Sequence, residues 1–190
     1  PTYVIASVSG TVSAISPHTG DFGKTYAAIT IDIAKNEAFD DQFESQHKTP
    51  TLENALGYLA SAPGSPPLKI LADSENPIKT IVISGVDSDL LTGTRQYITN
   101  TRLNDIKDGI HILKKISGID RIILVTGRDA IHGYGHIGAE VKSIDTPYPA
   151  ALPPMIMKNV LGEVLPAGKT CEEMGVCFMS AEAVASIGRA

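Results

Sequence analysis

Gly85, Asp87 and Asp89 follow a run of mainly β-branched residues, Ile78-Lys79-Thr80-Ile81-Val82-Ile83-Ser84, and are the residues of this chain best placed to do chemistry. A run without polar alternation reads as a strand buried on both faces, and the carboxyl end of such a strand is where parallel sheets hold ligands. Two carboxylates there can accept hydrogen bonds from the hydroxyl groups of a ligand. The same residues also suit a plainer role, as a helix cap or a hydrated strand end, because acidic side chains are common at such turns. No nucleophile, base and orienting group can be read together, so the sequence names no catalytic residue and leaves open whether the chain is an enzyme.

Other candidate groups carry less. His132 and His136 have the i, i+4 spacing of a metal pair on a helix, but the intervening glycines oppose a helix and no third ligand is evident, so no metal site is expected. Gly133-Tyr134-Gly135-His136-Ile137-Gly138 has the form of a dinucleotide fingerprint. It stands several residues beyond its strand and leads into Ala139-Glu140-Val141-Lys142-Ser143-Ile144, which alternates like another strand, whereas the fingerprint requires a helix there. Cys171 and Cys177 match neither a redox C-x-x-C nor a zinc or cluster spacing and read as two reduced thiols.

The elements that position Gly85, Asp87 and Asp89 form a βαβ unit. Residues 105–117 place Ile106, Ile110, Leu113 and Ile116 on one helical face, and Gly118 is set to stop the helix. Arg121-Ile122-Ile123-Leu124-Val125 is a second buried strand, parallel to the first through a right-handed crossover. Residues 152–161 predict a further helix opened by Pro153 and Pro154 and closed by Gly162. Residues 175–179 predict a short buried strand, followed by a helix that Ser180 caps.

The region before this unit differs in kind. Residues 3–15 and 26–33 alternate apolar with small or polar residues around a turn predicted at Pro17-His18-Thr19-Gly20, the pattern of antiparallel strands with one wet face. A polar stretch follows, then a short helix over residues 51–60. Ser61-Ala62-Pro63-Gly64-Ser65-Pro66-Pro67 is expected to be irregular, and its prolines leave few N–H groups with which to cradle a phosphate. The fold class expected is therefore α/β: a Rossmann-like parallel sheet with flanking helices over residues 46–190, preceded by a β-rich sandwich segment over residues 1–45.

With 190 residues, 43% apolar content and a formal net charge of −5, the chain can bury a core and has none of the basic character of a nucleic-acid binder. No stretch approaches the ~20 apolar residues of a membrane helix, so direct membrane insertion is not expected. Pro1 in place of an initiator methionine reads as a piece of a longer chain.

Val8-Ser9-Gly10-Thr11-Val12-Ser13-Ala14-Ile15, Tyr97-Ile98-Thr99 with Arg102-Leu103, Gly109-Ile110-His111-Ile112-Leu113, Tyr148-Pro149 and Leu161-Gly162-Glu163-Val164-Leu165-Pro166-Ala167-Gly168 occur in an order that resembles the C subunit of the Rnf electron-transport complex. More distantly, the chain is similar to the A subunit of the sodium-pumping NADH:quinone reductase and to the 51 kDa flavoprotein subunit of respiratory complex I. The resemblance covers nearly the whole chain. It implies a β sandwich (a barrel-sandwich hybrid) before a Rossmann-like domain that takes FMN and NADH. Iron–sulfur segments follow in full-length relatives, and their cysteines do not occur in this chain. It also implies a cytoplasmic protein held at the inner membrane by the other subunits of an electron-transport complex.

Departures fall at the implied cofactor site. The flavin-binding relatives carry a loop of the kind G-x-G-G-A-G-F-P where this chain has Tyr58-Leu59-Ala60-Ser61-Ala62-Pro63-Gly64-Ser65-Pro66-Pro67. In place of an acidic G-A-E-C-E-P turn, this chain offers Gly85, Asp87 and Asp89 as the cofactor-binding positions. Ala150, Ala151, Leu152, Pro153 and Pro154 follow Tyr148-Pro149 where relatives have glutamine, glycine and charged residues. The resemblance thus implies a degenerate FMN or NADH site in which carboxylates would meet ribityl or ribose hydroxyls. Two alternatives are a cofactor-free scaffold or docking subunit of such a complex, and a flavoprotein of the cobalamin-reductase kind.

Overall fold

A computed structural model describes residues 6, 8–38, 41–60, 62–128 and 134–190. These residues fall into two compact units that divide between Thr49 and Pro50. In the first unit, β1 (Gly10–Thr19) and β2 (Thr25–Ile33) form an antiparallel ribbon, followed by α1 (Asp41–Lys48). β1 runs through Pro17, His18 and Thr19, where the sequence predicts a turn. The reversal lies instead at residues 20–24, where the Gly20 amide donates to the Lys24 carbonyl and Phe22 and Gly23 take left-handed backbone angles. Pro17 lacks an amide, which an edge strand of a two-stranded ribbon tolerates. The described residues supply one β layer here. A second layer, which the expected sandwich requires, is not among them.

The second unit carries the parallel sheet. Helix α2 (Leu52–Leu59) is capped by Thr51, whose Oγ1 accepts from the Asn54 amide at 3.2 Å, and a short α3 (Leu68–Leu71) follows the proline-rich loop. Strand β3 (Thr80–Ser84) then leads to α4 (Thr94–Thr101), α5 (Leu103–Ser117), β4 (Ile122–Gly127) and β5 (Glu140–Ile144). The chain closes with α6 (Pro153–Ile156), which widens into a π turn over Met157–Leu161, then β6 (Val176–Ser180) and α7 (Ala181–Arg189). The four strands stand in the order β5-β4-β3-β6, all parallel, with Ser84 of β3 in register with Val125 of β4 and Ser180 of β6. The chain is α/β, with a parallel sheet flanked by helices and a separate small antiparallel sheet.

β3 and β4 are buried at every residue, so their apolar runs serve two faces. Val82, Ile123 and Val125 pack with Ile156 and Met157 on the α6 side. Alternation turns Ile81, Ile83, Ile122 and Leu124 to the other side, against α5 and α7. α5 contributes Ile106, Ile110 and Leu113, all essentially inaccessible and each worth about 1.5–3 kcal/mol of transfer free energy. It ends where Gly118 adopts the left-handed conformation and its amide returns to the Lys114 carbonyl, as the sequence predicts. α5 and α7 pack on each other, so the segments leaving β3 and β6 turn to the same face of the sheet. Among the described residues, no helix is long and apolar enough to cross a membrane.

Candidate functional site

At the carboxyl end of the sheet an open cleft of about 280 Å³ is lined by Asp87, Asp89, Leu90, Gln96, Tyr148 and Pro149, among others. The peptide between Tyr148 and Pro149 is cis. The cleft joins the turn after β3 to the segment after β5; Gly85 and the proline-rich loop are not among its lining residues.

The three residues singled out from the sequence already have structural partners. Asp87 accepts from the backbone amides of Arg95 at 3.1 Å and Gln96 at 3.2 Å, one on each carboxylate oxygen. It therefore closes the first turn of α4, whose own N-cap residue is Gly93 and supplies no side-chain acceptor. A carboxylate at that position satisfies two otherwise orphaned donors and lies at the positive end of the helix dipole. Asp89 turns back on its own loop, with Oδ1 accepting from the Leu91 amide at 3.2 Å and its carbonyl from the Thr92 hydroxyl at 3.4 Å.

Gly85 is required by packing. Its amide donates to the Val125 carbonyl at 2.8 Å, joining the turn to β4. A Cβ at this position would stand 2.8 Å from that same carbonyl oxygen and 2.9 Å from Thr99 Oγ1, so α4 lies directly on the Gly85 backbone. The Thr99 hydroxyl is buried and lies 2.6 Å from the Arg95 carbonyl and 3.4 Å from the Gly85 carbonyl.

Arg95 and Thr99 are the residues that sequence reasoning misses. Arg95 Nη1 donates to Ser84 Oγ at 3.3 Å, and Ser84 Oγ donates to the Val86 carbonyl at 3.1 Å, so a half-buried cation is held over the end of β3. The sequence allows Asp87 to cap a helix, but it does not show that the amide it accepts from belongs to Arg95, eight residues on.

The proline-rich loop is pinned to α7. The Ser186 hydroxyl donates to the Pro63 carbonyl at 2.8 Å. Gly64, with φ of 79°, lies so close to the start of α7 that a Cβ would overlap the Ala183 amide nitrogen. That amide donates to Ser180 Oγ, the N-cap predicted from the sequence, at 3.1 Å.

His132 and Gly133 lie outside the described residues, so the histidine pair and the start of the glycine motif are not placed. Residues 134–138 form a turn that enters β5, in keeping with the strand predicted there. Among the described residues, no cluster of three or more His, Cys, Asp or Glu side chains could hold a metal ion. Cys171 and Cys177 are both free and buried.

No protein-family model matches the sequence, and no curated protein matches it.

Proposed function

We propose that this chain is a subunit of a membrane-associated electron-transport complex of the Rnf or sodium-pumping NADH:quinone reductase kind, acting as a cofactor-free docking scaffold. The order of sequence motifs supports the assembly. The observation that carries the scaffold reading is Asp87, which gives both carboxylate oxygens to the start of α4. A nucleotide phosphate in a Rossmann-like domain takes the amides at such a helix start, and here a built-in carboxylate has them. The start of α7 is closed in the same way by Ser180 and by Gly64 of the proline-rich loop. These residues do not fit the phosphate of FMN or the pyrophosphate of NADH. The same misfit weighs against a flavoprotein of the cobalamin-reductase kind. In this reading the protein sits in the cytoplasm, at the inner membrane, through its partner subunits.

Calorimetric titration with FMN and with NADH tests the scaffold reading. The wild-type chain is expected to give no saturable heat up to ~1 mM ligand, the scale of the weakest specific affinities. Asp87→Ala is expected to lose about 1–2 kcal/mol of stability to urea, as capping losses do, and still to bind neither ligand. Saturable binding by the wild-type chain that Asp87→Ala weakens would return the site to a cofactor.

A further inference from the structure

At the amino end of the parallel sheet, opposite the strand ends that lead to Asp87 and Asp89, two clefts stand side by side and share Pro77 as a wall. The first, of about 530 Å³, opens between α2, the end of α3 and the residues that close and follow α5. Its aliphatic lining is Leu52, Leu56, Leu71, Ile78 and Ile119, all half-buried, and Glu53 and Asp73 edge it. The second, of about 360 Å³, lies before β3 and β6 and is polar, with Glu75, Lys79, Glu172 and Glu173 around it. Among the charged residues described along the pair, five are acidic and one, Lys79, is basic. That excess is out of proportion to the chain, whose 21 acidic residues face 16 basic ones.

The wall between the clefts is held in shape. Asp73 accepts from the Glu75 amide at 2.9 Å and from the Asn76 side chain at 3.1 Å. The amides of Lys79 and Thr80 both donate to the Gly175 carbonyl, at 2.8 and 3.1 Å, and tie that wall to the start of β6. Glu173 is already engaged, with Lys169 Nζ at 2.9 Å and the Thr170 amide at 2.8 Å. Glu53, Glu75 and Glu172 have no ion-pair partner among the described residues.

An occupant of both clefts must bring aliphatic side chains to the first and positive charge to the second, because a cation is what the unpaired carboxylates attract. Both clefts lie across the beginnings of strands and not along a strand edge, and an aliphatic wall gives a buried backbone nothing to bond to. The occupant must therefore satisfy its own backbone, as a helix does. We infer that this face is a docking groove for a basic amphipathic helix of another polypeptide. Leucine or isoleucine side chains one turn apart fill the first cleft, and a lysine or arginine lies over Glu75 and Glu172. The inference names the chemistry of a partner and stands whether or not that partner belongs to an electron-transport complex.

Calorimetric titration of the full chain with two synthetic helices of ~15 residues tests it, the two sharing one leucine face and carrying either lysine or glutamate on the other. The lysine peptide is expected to bind with a Kd of ~10–100 μM, and the glutamate peptide to give no saturable heat up to ~1 mM. Glu53→Lys and Glu75→Lys, both at exposed positions, are each expected to weaken the lysine peptide at least ~fivefold. Asp108→Lys makes the same change of charge on the exposed face of α5 and is expected to leave the affinity within ~twofold, since separated surface charges are screened. Urea midpoints show that the variants fold. Amide chemical shifts locate the peptide: those of Leu56, Leu71, Ile78 and Ile119 are expected to move, and those of Asp87 and Gln96 to stay. A lysine peptide that fails to bind up to ~1 mM overturns the inference. Equal weakening by all three charge reversals, or shifts confined to other surfaces, overturns it as well.

Discussion

Gly109→Ala is expected to destabilise the protein by about 3 kcal/mol, an outcome opposite in sign to the usual effect of alanine in a helix. Replacing glycine inside an exposed helix gains up to about 1 kcal/mol, because alanine loses less backbone entropy. Here α5 crosses α7 backbone against backbone. A Cβ on Gly109 would overlap the Val184 carbonyl oxygen, and one on Gly188 would overlap the Asp105 carbonyl oxygen. Both obstacles are main chain and no rotamer change relieves them, so the helices must separate. The fully buried Ile106, Ile110, Val184 and Ile187 then lose contacts together. Overpacked cores lose about 1–3 kcal/mol and occasionally more, and the backbone obstacle puts this site at the upper end. Urea denaturation checks it: the midpoint is expected to fall for Gly109→Ala and for Gly188→Ala. A midpoint at or above that of the wild type would show that α5 and α7 do not cross at these glycines.

Cys177 is expected to react with iodoacetamide roughly a thousandfold more slowly in the folded protein than in urea at pH 8. Burial in β6, and secondarily the charge of Glu172, push its thiol up to about 12. At pH 8 such a thiol is a thiolate in roughly one molecule in ten thousand, whereas an unperturbed one is a thiolate in about one in four. Cys171 is displaced in the same direction by burial and Glu172. The shift also acts on stability. The unfolded chain releases its Cys177 proton near pH 8.5, while the folded chain keeps it to about 12. Between these values the folded state binds more protons, so stability is whole below pH 8.5 and falls as pH rises, by about 1.4 kcal/mol per pH unit. From pH 7 to pH 10 the wild type should therefore lose about 2 kcal/mol more than Cys177→Ala, read from urea midpoints. Equal losses, or labelling at the unfolded rate, would place the thiol in water.

Much of the parallel domain was legible because its signals are local. The run from Ile81 to Ser84 and the stripe of Ile106, Ile110 and Leu113 carry the two-face and 3.6-residue patterns directly, and Thr51, Ser180, Gly118 and Gly162 mark helix ends by their own chemistry. α4 was not legible as a helix. Thr99 is its one fully buried residue, so it shows no apolar stripe. β1 continues through Pro17 because the reversal is set by the left-handed angles of Phe22 and Gly23. That Pro17 marks no turn is a property of the pairing, which local sequence does not report.

At the strand end the sequence offered two roles for the same carboxylates and could not choose between them. Gly85, Asp87 and Asp89 do stand at the strand end, and the helix-cap alternative describes Asp87. What separates a ligand-binding carboxylate from a capping one is whether its oxygens are already used, and that depends on Arg95 and Gln96 folding back over the turn. The pairing of Gly109 with α7 is equally hidden, since glycines distant in sequence must meet before either has a meaning.

The central claim is membership of an electron-transport complex through docking, and its most direct test is what the chain binds in its own cell. The native protein, tagged at its carboxyl end, would be isolated from detergent-solubilised membranes and its companions identified by mass spectrometry. The account predicts recovery in the membrane fraction together with membrane-embedded redox subunits of the Rnf or sodium-pumping kind, in constant proportion through a second purification step. Recovery of the intact protein from the soluble fraction, free of such subunits, would contradict it.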